Sequence, residues 1–412
     1  MSTTTRETDM TATPTQHTAT HAGAPPFPFE RRCPFSVAED YQNVPNDGPP
    51  TPVMFKGAPA WLVTGFDDVR KVLADSRCSV RNVPDLSRGD TGEESGDGGL
   101  PGFFLAMDPP EHTVLRKTLA KEFTPRRMEA MRPTVQRITD QLLDAILAGD
   151  KPAELVDKLS LPLPSLVICE LLGVPYDKHN WFQEETRKVL DTSRSPEEIG
   201  QAIGAVMMYL AELATIKMDD PGDDLISLLV HHARTGTVTV PEVAGMATLL
   251  LMAGHETTGN MISLSVYTLL SHPEQMEELR QNPDLIPQAV EELLRYLDII
   301  GNLPRTTLEP MEINGRQLDK GSLVMVAMDA ANRDDRVFPD PNTFDIHNDS
   351  RGHLAFGHGI HSCLGAPLAR IELQVVIETL LRRIPTLALV DPEAQIKPQS
   401  KIFGLSELQL TW

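Results

Sequence analysis

The stretch Phe356–Gly365 reads FGHGIHSCLG, and it places Cys363 between a loop rich in Gly and His and a new helical pattern. The residues that follow, LGAPLARIELQVVIETLLRRI, have the apolar spacing of a helix. Cys363 is therefore expected at or just before a helix N-terminus, where the helix dipole and the free N–H groups favour a thiolate. From these residues alone, Cys363 could be a disulfide partner, a zinc ligand, a nucleophile, a buried thiol or an axial ligand to a larger group.

The composition argues against two of these options. The chain has 412 residues and four cysteines, none of them in a C-x-x-C pair: Cys33, Cys78, Cys169 and Cys363. This spacing does not suit a four-cysteine zinc site or a small disulfide framework, and sparse cysteine fits a reducing cytoplasm. The net charge of -21 argues against binding of nucleic acid or an anionic membrane through the overall field.

The pattern along the chain predicts one large domain. Residues 1–25 are rich in Thr and lack an apolar core, so we expect a disordered tail that is neither a signal peptide nor an anchor. Residues 26–412 are expected to form a single domain with a mobile surface loop at 85–102, which is rich in Gly, Asp and Ser. Helical spacing dominates from Glu111 to Ile384 and strand signals are few, which predicts a mainly α fold with a small β portion. The apolar runs are expected to be too short to span a bilayer.

One predicted helix combines an apolar surface with a polar centre. It begins after the N-cap Thr239, ends near Ser271 and is apolar nearly all round, so it should cross the core. Its centre reads AGHETT, where Gly and Thr weaken the helix and Glu256 places a carboxylate in apolar surroundings. Such a break in the local rules indicates a functional site. The alternative is a kink relieved by packing, with Glu256 bonded to an Arg.

Several stretches together resemble the cytochrome P-450 family. Six residues match the haem-binding signature of that family position for position: Phe356, Gly357, Gly359, His361, Cys363 and Gly365. AGHETT resembles the oxygen-activating helix motif, and Glu292 and Arg295 in EELLR resemble the Glu-x-x-Arg pair. DPPEHTVLR and HLAFGHGIH look like the soluble bacterial members, especially those of actinobacteria. The resemblance extends from about Pro26 to Trp412.

The resemblance implies a cytochrome P-450 fold, a triangular, mainly helical single domain around a buried haem b. Cys363 would supply the axial thiolate, which favours cleavage of the O–O bond. The implied cofactor-binding residues are Cys363, His112, Arg116, Arg305, His361, Phe356 and Gly357. His112 and Arg116 are four positions apart on one helix face, and with Arg305 and His361 they would bind the haem propionates. Without the family, each of these charges would be interpreted as a solvated surface group.

The implied reaction is monooxygenation, with Glu256 and Thr257 as the catalytic residues that deliver protons. Two other reactions occur on the same fold, reduction of nitric oxide and peroxygenation, and residues 23–32 and 60–64 resemble the nitric-oxide-reducing branch to some extent. In those enzymes the acid–alcohol pair is typically lost, so its presence here favours oxygen activation. A non-catalytic haem-based sensor is a further alternative, against which the same pair argues.

The substrate is expected to be a medium-sized hydrophobic molecule of secondary metabolism or a xenobiotic, which would be hydroxylated or epoxidised. This expectation depends on apolar residues predicted to line the pocket: Phe103, Phe104, Leu249, Met252, Ala253, Ile299, Ile300, Leu303, Ile402 and Phe403. Each of them could instead be ordinary core.

The chain shows no second cofactor domain, so we expect electrons from a separate ferredoxin and ferredoxin reductase. Residues 113–137 are rich in Lys and Arg, and they are expected to attract an acidic donor. We also expect the protein to be a monomer in the cytoplasm. One departure from the family is Thr343, which stands where an Arg often completes the network of Glu292 and Arg295. Arg333 or His347 is expected to take its place.

Overall fold

The computed structural model describes residues 21–81, 83, 100–191, 193–398, 400 and 402–412, and helices dominate the regular structure. The helices are α1 Phe66–Ala74, α2 Glu111–Ala120, α3 Pro125–Glu129, α4 Arg132–Leu147, α5 Pro162–Leu172, α6 His179–Leu190, α7 Pro196–Asp219, α8 Leu225–Arg234, α9 Val240–Ser271, α10 Pro273–Gln281, α11 Ile286–Leu297, α12 Met328–Ala331 and α13 Ala366–Arg383. The predicted mainly α fold is confirmed.

The long helix α9 has the limits that its sequence predicts. Thr239 and Glu242 form a reciprocal capping box at its start, and Pro241 occupies the first turn, where no N–H is needed. The helix ends at Ser271. Most residues between these ends are buried, because α9 packs against α5, α7 and α13. A helix that is apolar on all sides requires this central position.

The strands form one sheet of moderate size and three small ones. The strands are β1 Pro26–Phe27, β2 Thr51–Phe55, β3 Ala58–Val63, β4 Cys78–Ser79, β5 Ala153–Glu154, β6 Asn302–Thr307, β7 Met311–Ile313, β8 Arg316–Leu318, β9 Leu323–Ala327, β10 Ala388–Leu389, β11 Gln395–Ile396, β12 Leu405–Glu407 and β13 Gln409–Thr411. The main sheet has the order β1-β2-β3-β9-β6-β4. The predicted hairpin turn joins β7 and β8, with Asn314 and Gly315 both at positive φ.

The N-terminal region is ordered further towards its start than expected. The ring of His21 is buried, its Nε2 lies 3.1 Å from the carbonyl oxygen of Ala60, and it packs edge-on against Trp61. Structure therefore begins before Pro26, because a buried contact fixes residues that composition alone assigns to a tail. Residues 1–20, and residues 85–99 of the predicted mobile loop, lie outside the described residues.

One described helix contradicts the expectation that every apolar run is too short to span a bilayer. Helix α7 is long and apolar enough to cross a membrane, judged by length and composition only. The core helices of globular proteins can have the same length and apolar composition, and α7 packs against α6, α8 and α9. Its inner face contributes Val206 and Leu210 to the core. We therefore interpret α7 as an amphipathic layer over α9.

Candidate active site

The loop that carries Cys363 has a shape that only glycine permits at one point. The Cys363 N–H donates to the carbonyl oxygen of Phe356 at 2.8 Å and closes the loop. Gly359 has φ of 74°, and a Cβ there would lie 2.4 Å from the carbonyl oxygen of Leu73 on α1. Any side chain would thus clash with backbone as well as strain the turn. Helix α13 begins at Ala366, so Cys363 precedes a helix N-terminus as predicted.

Two opposing influences act on the sulfur of Cys363. Burial raises the pKa of the thiol, whereas the N–H groups of Gly365 and Ala366 and the charge of Arg116 lower it. The Cys363 side chain nevertheless keeps accessible surface, although the neighbouring helix belongs to the core. The loop therefore presents a sulfur atom, supported by backbone donors, to a group that approaches it from the interior.

Four predicted propionate partners, His112, Arg116, Arg305 and His361, lie near one another. The rings of His112 and His361 have centroids 4.3 Å apart, and Arg116 donates to the carbonyl oxygen of Ser362 beside them. Burial first, and then the charges of His112, Arg305 and Arg116, lower the pKa of His361 to about 3. One helix, one strand and the cysteine loop supply these groups.

Among the described residues, no carboxylate forms an ion pair with this cluster, although the charge of Asp108 acts on His112 and Arg305 from a distance. Both ring nitrogens of His112 and Nε2 of His361 are buried without a hydrogen-bond partner there. Within the described part, neither Arg116 nor Arg305 is hydrogen-bonded to a carboxylate, and Arg305 is 4% exposed. Buried donors and cations need acceptors to offset their desolvation. The carboxylates of a haem would supply them, and Cys363 would supply an axial sulfur, so these residues fit the group.

The centre of α9 has two faces with different surroundings. Glu256 is buried, and its Oε1 accepts from Lys397 Nζ at 2.6 Å. Thr257 donates from Oγ1 to the carbonyl oxygen of Ala253 at 2.7 Å, which leaves the hydroxyl oxygen able to accept. Ala253 is exposed and Thr257 half-buried, although the helix around them is buried. The carboxylate and the hydroxyl therefore reach different partners from adjacent positions.

The partner of Glu256 differs from the expected arginine. Lys397 follows strand β11 and is 141 positions from Glu256 in the sequence. Its backbone N–H donates to the carbonyl oxygen of Gly404 at 2.9 Å, which holds this segment against the C-terminal turn. A lone Lys in a polar stretch carries no periodic signal, so sequence reasoning could not find this contact.

The network around Glu292 and Arg295 is closed in an unexpected way. Arg295 binds both carboxylate oxygens of Glu292, at 2.7 and 2.8 Å, and both side chains are fully buried. Glu292 also accepts from Asn348 and Ser350. Within the described part of the chain, Arg333 joins the network through the carbonyl oxygen of Pro341, which also accepts from Arg295.

The expectation for His347 is wrong, because its ring lies 3.2 Å from Glu278 and not in the network of Glu292. Thr343 is exposed and takes no part in the network either. The side chains of Asn348 and Ser350, in the 348–350 turn, donate to Glu292 where one basic residue was expected. They reach Glu292 because this turn passes directly over α11.

The predicted pocket residues occupy several kinds of position. The buried ones are Phe104, Leu249, Ile299 and Ile402, the half-buried ones are Phe103, Met252, Ile300, Leu303 and Phe403, and Ala253 is exposed. Phe104 lies beside His112, with ring centroids 6.0 Å apart. Met252 packs instead on Val189 and Ile203, towards α6 and α7. The structure therefore links Phe104 to the cationic cluster, whereas Met252 contacts the outer helices.

Comparison with known proteins decides the family. A family model described as cytochrome P-450 matches residues 197–407. Cytochrome P-450-SU2 of Streptomyces griseolus is 45% identical over 92% of this chain and 94% of its own length. The chain belongs to the cytochrome P-450 family. Members of this family hold haem through a cysteine thiolate, and this one is a haem-dependent monooxygenase.

Two further relatives are named for the natural product that each makes or binds. Pentalenic acid synthase of Streptomyces avermitilis is 41% identical over 94% of this chain and 97% of its own length. The crystal structure of the mycinamicin VIII C21 methyl hydroxylase MycCI of Micromonospora griseorubida, bound to mycinamicin VIII, has a TM-score of 0.86 and 36% identity. It covers 94% of this chain and all of its own. The predicted P-450 fold is thus confirmed over nearly the whole chain.

Proposed function

We propose that this protein is a cytoplasmic, ferredoxin-dependent P-450 that carries haem b on Cys363 and oxidises a medium-sized hydrophobic substrate. The observation that supports it best is the intact pair of Glu256 and Thr257 beside an accessible Ala253 on α9. The bound haem supplies activation of dioxygen, with one oxygen atom inserted into the substrate and the other reduced to water. The relatives named for pentalenic acid and mycinamicin VIII support a secondary metabolite as the substrate class.

The protein's own residues would hold the haem and move the protons. His112, Arg116, Arg305 and His361 would bind the propionates, because charged donors suit carboxylates. Thr257 would accept a hydrogen bond from a ligand or water at the Ala253 surface of α9. Glu256, next to it, would receive protons from the side of Lys397, whose side chain is 20% exposed and therefore reaches water.

Electrons would enter from an acidic ferredoxin on the side of the cysteine loop. The basic segment 113–137 is smaller than its sequence suggests, since Arg116 turns inward and Arg127 pairs with Glu122. Three cations of the segment are exposed and have no ion pair among the described residues: Lys117, Lys121 and Arg126. Val114 is half exposed on the same helix as Lys117, which ends just before Lys121, and it would add an apolar contact.

Reconstitution with isotope-labelled dioxygen tests this function. The purified protein, a ferredoxin, its reductase and reduced nicotinamide would be combined with a library of macrolides, terpenoids and drug-like molecules. The expected result is a product that carries one labelled oxygen atom. Oxidation supported only by peroxide, or nicotinamide-dependent reduction of nitric oxide without the donor proteins, would instead support one of the two other reactions on this fold. Failure of every apolar library member to shift the haem spin state would contradict the substrate class.

A further inference from the structure

Two segments that carry four of the predicted pocket residues meet at one backbone hydrogen bond. Phe403 donates its N–H to the carbonyl oxygen of Ile299 at 2.9 Å. Ile299 and Ile300 follow the end of α11, whereas Ile402 and Phe403 belong to the turn before β12. The distance between these two segments therefore sets the width of the proposed pocket on this side.

A single side chain from the N-terminal arm, residues 31–35, contacts Phe403 and the two residues that directly precede Ile299. The guanidinium of Arg31 lies 4.0 Å from the ring centroid of Phe403. Its Nη1 donates to the carbonyl oxygens of Leu297 and Asp298, at 2.6 and 2.8 Å. These are the last carbonyls of α11, where a cation is favoured by the helix dipole. Arg31 thus caps the helix and stacks on the aromatic ring at once.

The arm itself orients this guanidinium. Nε and Nη2 of Arg31 donate to the carbonyl oxygens of Cys33 and Pro34, at 3.2 and 2.6 Å. Phe35 stacks on Tyr267 of α9, with centroids 5.3 Å apart and an angle of 11° between the planes. The arm is therefore anchored on the core helix, and Arg31 projects from a fixed base. A guanidinium group that donates several hydrogen bonds and stacks on an aromatic ring has little rotational freedom.

We infer that Arg31 is a positioning residue for substrate selection. It holds the Ile299–Ile300 segment and the Phe403 turn at a fixed separation, and it thereby sets the size of molecule that the pocket admits. This role rests on the proposed function, in which these residues face the substrate. Lysine cannot replace Arg31, because a single ammonium group cannot cap α11, bond to the arm and stack on Phe403 together.

The test compares Arg31→Lys with the control Arg32→Gln in the haem-loaded protein. Arg32 is the adjacent residue, is exposed and pairs only with Glu30 among the described residues. Imidazole serves as the small probe and clotrimazole as the large apolar probe, each followed by its shift of the haem absorption. Arg31→Lys should change the affinity for clotrimazole about tenfold and leave that for imidazole unchanged. Arg32→Gln should change neither.

A cycle with Phe403→Leu determines whether Arg31 acts through the aromatic ring. Phe403→Leu alone should produce the same selective change, and Arg31→Lys should add little in that background. An unchanged ratio of the two affinities in a variant that keeps the thiolate-type carbon monoxide spectrum would overturn the inference. Equal changes for both probes, or full additivity of the two substitutions, would also overturn it. A wild-type protein without the thiolate-type spectrum would instead overturn the proposed function.

Discussion

Glu256 and Thr257 are adjacent in sequence, yet they have different chemical surroundings. Successive helix residues point about 100° apart, so the carboxylate reaches Lys397 while the hydroxyl stays on the accessible face with Ala253. One turn of α9 therefore places Glu256, whose partner Lys397 reaches water, next to Thr257 on the interior surface. At the same scale, burial raises the pKa of the Cys363 thiol, and the backbone N–H groups of Gly365 and Ala366 offset part of that rise.

Replacement of Cys363 with Ala should abolish the thiolate-type spectrum of the reduced carbon monoxide complex. The physical reason is that this sulfur alone combines accessible surface with backbone donors at a helix N-terminus. Cys33→Ala is the matched control, since Cys33 is half-buried in the N-terminal arm. If Cys363→Ala kept the spectrum, another cysteine would be the ligand.

Replacement of Thr257 with Ala should keep haem and substrate binding but lower the yield of product per nicotinamide consumed. The hydroxyl that accepts from a ligand or water is lost, and a loss of 10-fold or more in coupling is expected if Thr257 takes part in proton delivery (about 10²-fold is typical of a general acid–base group). Thr258→Ser is the control, because Thr258 is buried on another face. Unchanged coupling in Thr257→Ala would leave that residue a structural role only.

Replacement of Lys397 with Met should destabilise the folded protein by about 3 kcal/mol, because it leaves Glu256 as an unpaired buried carboxylate. Thermal unfolding measures this loss. Lys397→Arg preserves the charge and serves as the control. A second readout is the solvent isotope effect on turnover, which should increase in Lys397→Met if the pair carries protons and should not change if the pair is only structural.

At the scale of elements, local signals predicted well and long-range contacts did not. The ends of α9 follow from a capping box, and the β7–β8 turn follows from Asn314-Gly315. By contrast, Glu256 pairs with Lys397, which is 141 positions away in the sequence, and Glu292 accepts hydrogen bonds from the 348–350 turn. Nothing in the spacing of those partners marks them, since their chemistry depends on which loops the fold brings onto a helix.

The junction between β9 and α12 contains a carboxylate that makes stability depend on pH. Burial first, and then the neighbouring Asp298, raise the pKa of Asp329 to about 7. The native state therefore holds a proton that the unfolded chain loses near its ordinary pKa of 3.8. The contribution of this proton to the free energy of unfolding is fully present below pH 3.8 and decreases as the pH rises to about 7.

Asp329→Asn should therefore make the unfolding free energy less dependent on pH in this window. Asn keeps an oxygen to accept from Tyr41, whose hydroxyl lies 3.0 Å from Asp329, and it cannot ionise. Denaturant unfolding at several pH values measures the slope for both proteins. Asp335→Asn, at an exposed position on the same segment, is the control. Equal slopes for wild type and Asp329→Asn would show that another group titrates.

The whole molecule combines a strongly acidic surface with a local basic one. The net charge is -21, which repels an acidic ferredoxin in general, whereas Lys117, Lys121 and Arg126 are exposed cations on the segment that contacts the cysteine loop through Arg116. The sequence indicated this basic segment, but it could not tell which cations are neutralised. Ion pairs form in three dimensions, as with Arg127 and Glu122 or Arg370 and Glu291.

Arg126→Glu should slow reduction by an acidic ferredoxin, and Arg127→Glu should slow it less. Arg126 has no ion pair among the described residues, whereas the charge of Arg127 is already offset by Glu122. The expected loss in association rate for Arg126→Glu is about tenfold at low salt and smaller at high salt, because salt screens exposed charges. Stopped-flow reduction over a range of salt concentrations measures both effects. Clotrimazole affinity should stay unchanged, since neither Arg126 nor Arg127 is among the proposed pocket residues. Equal rates for wild type and both variants at every salt concentration would place the donor on another surface.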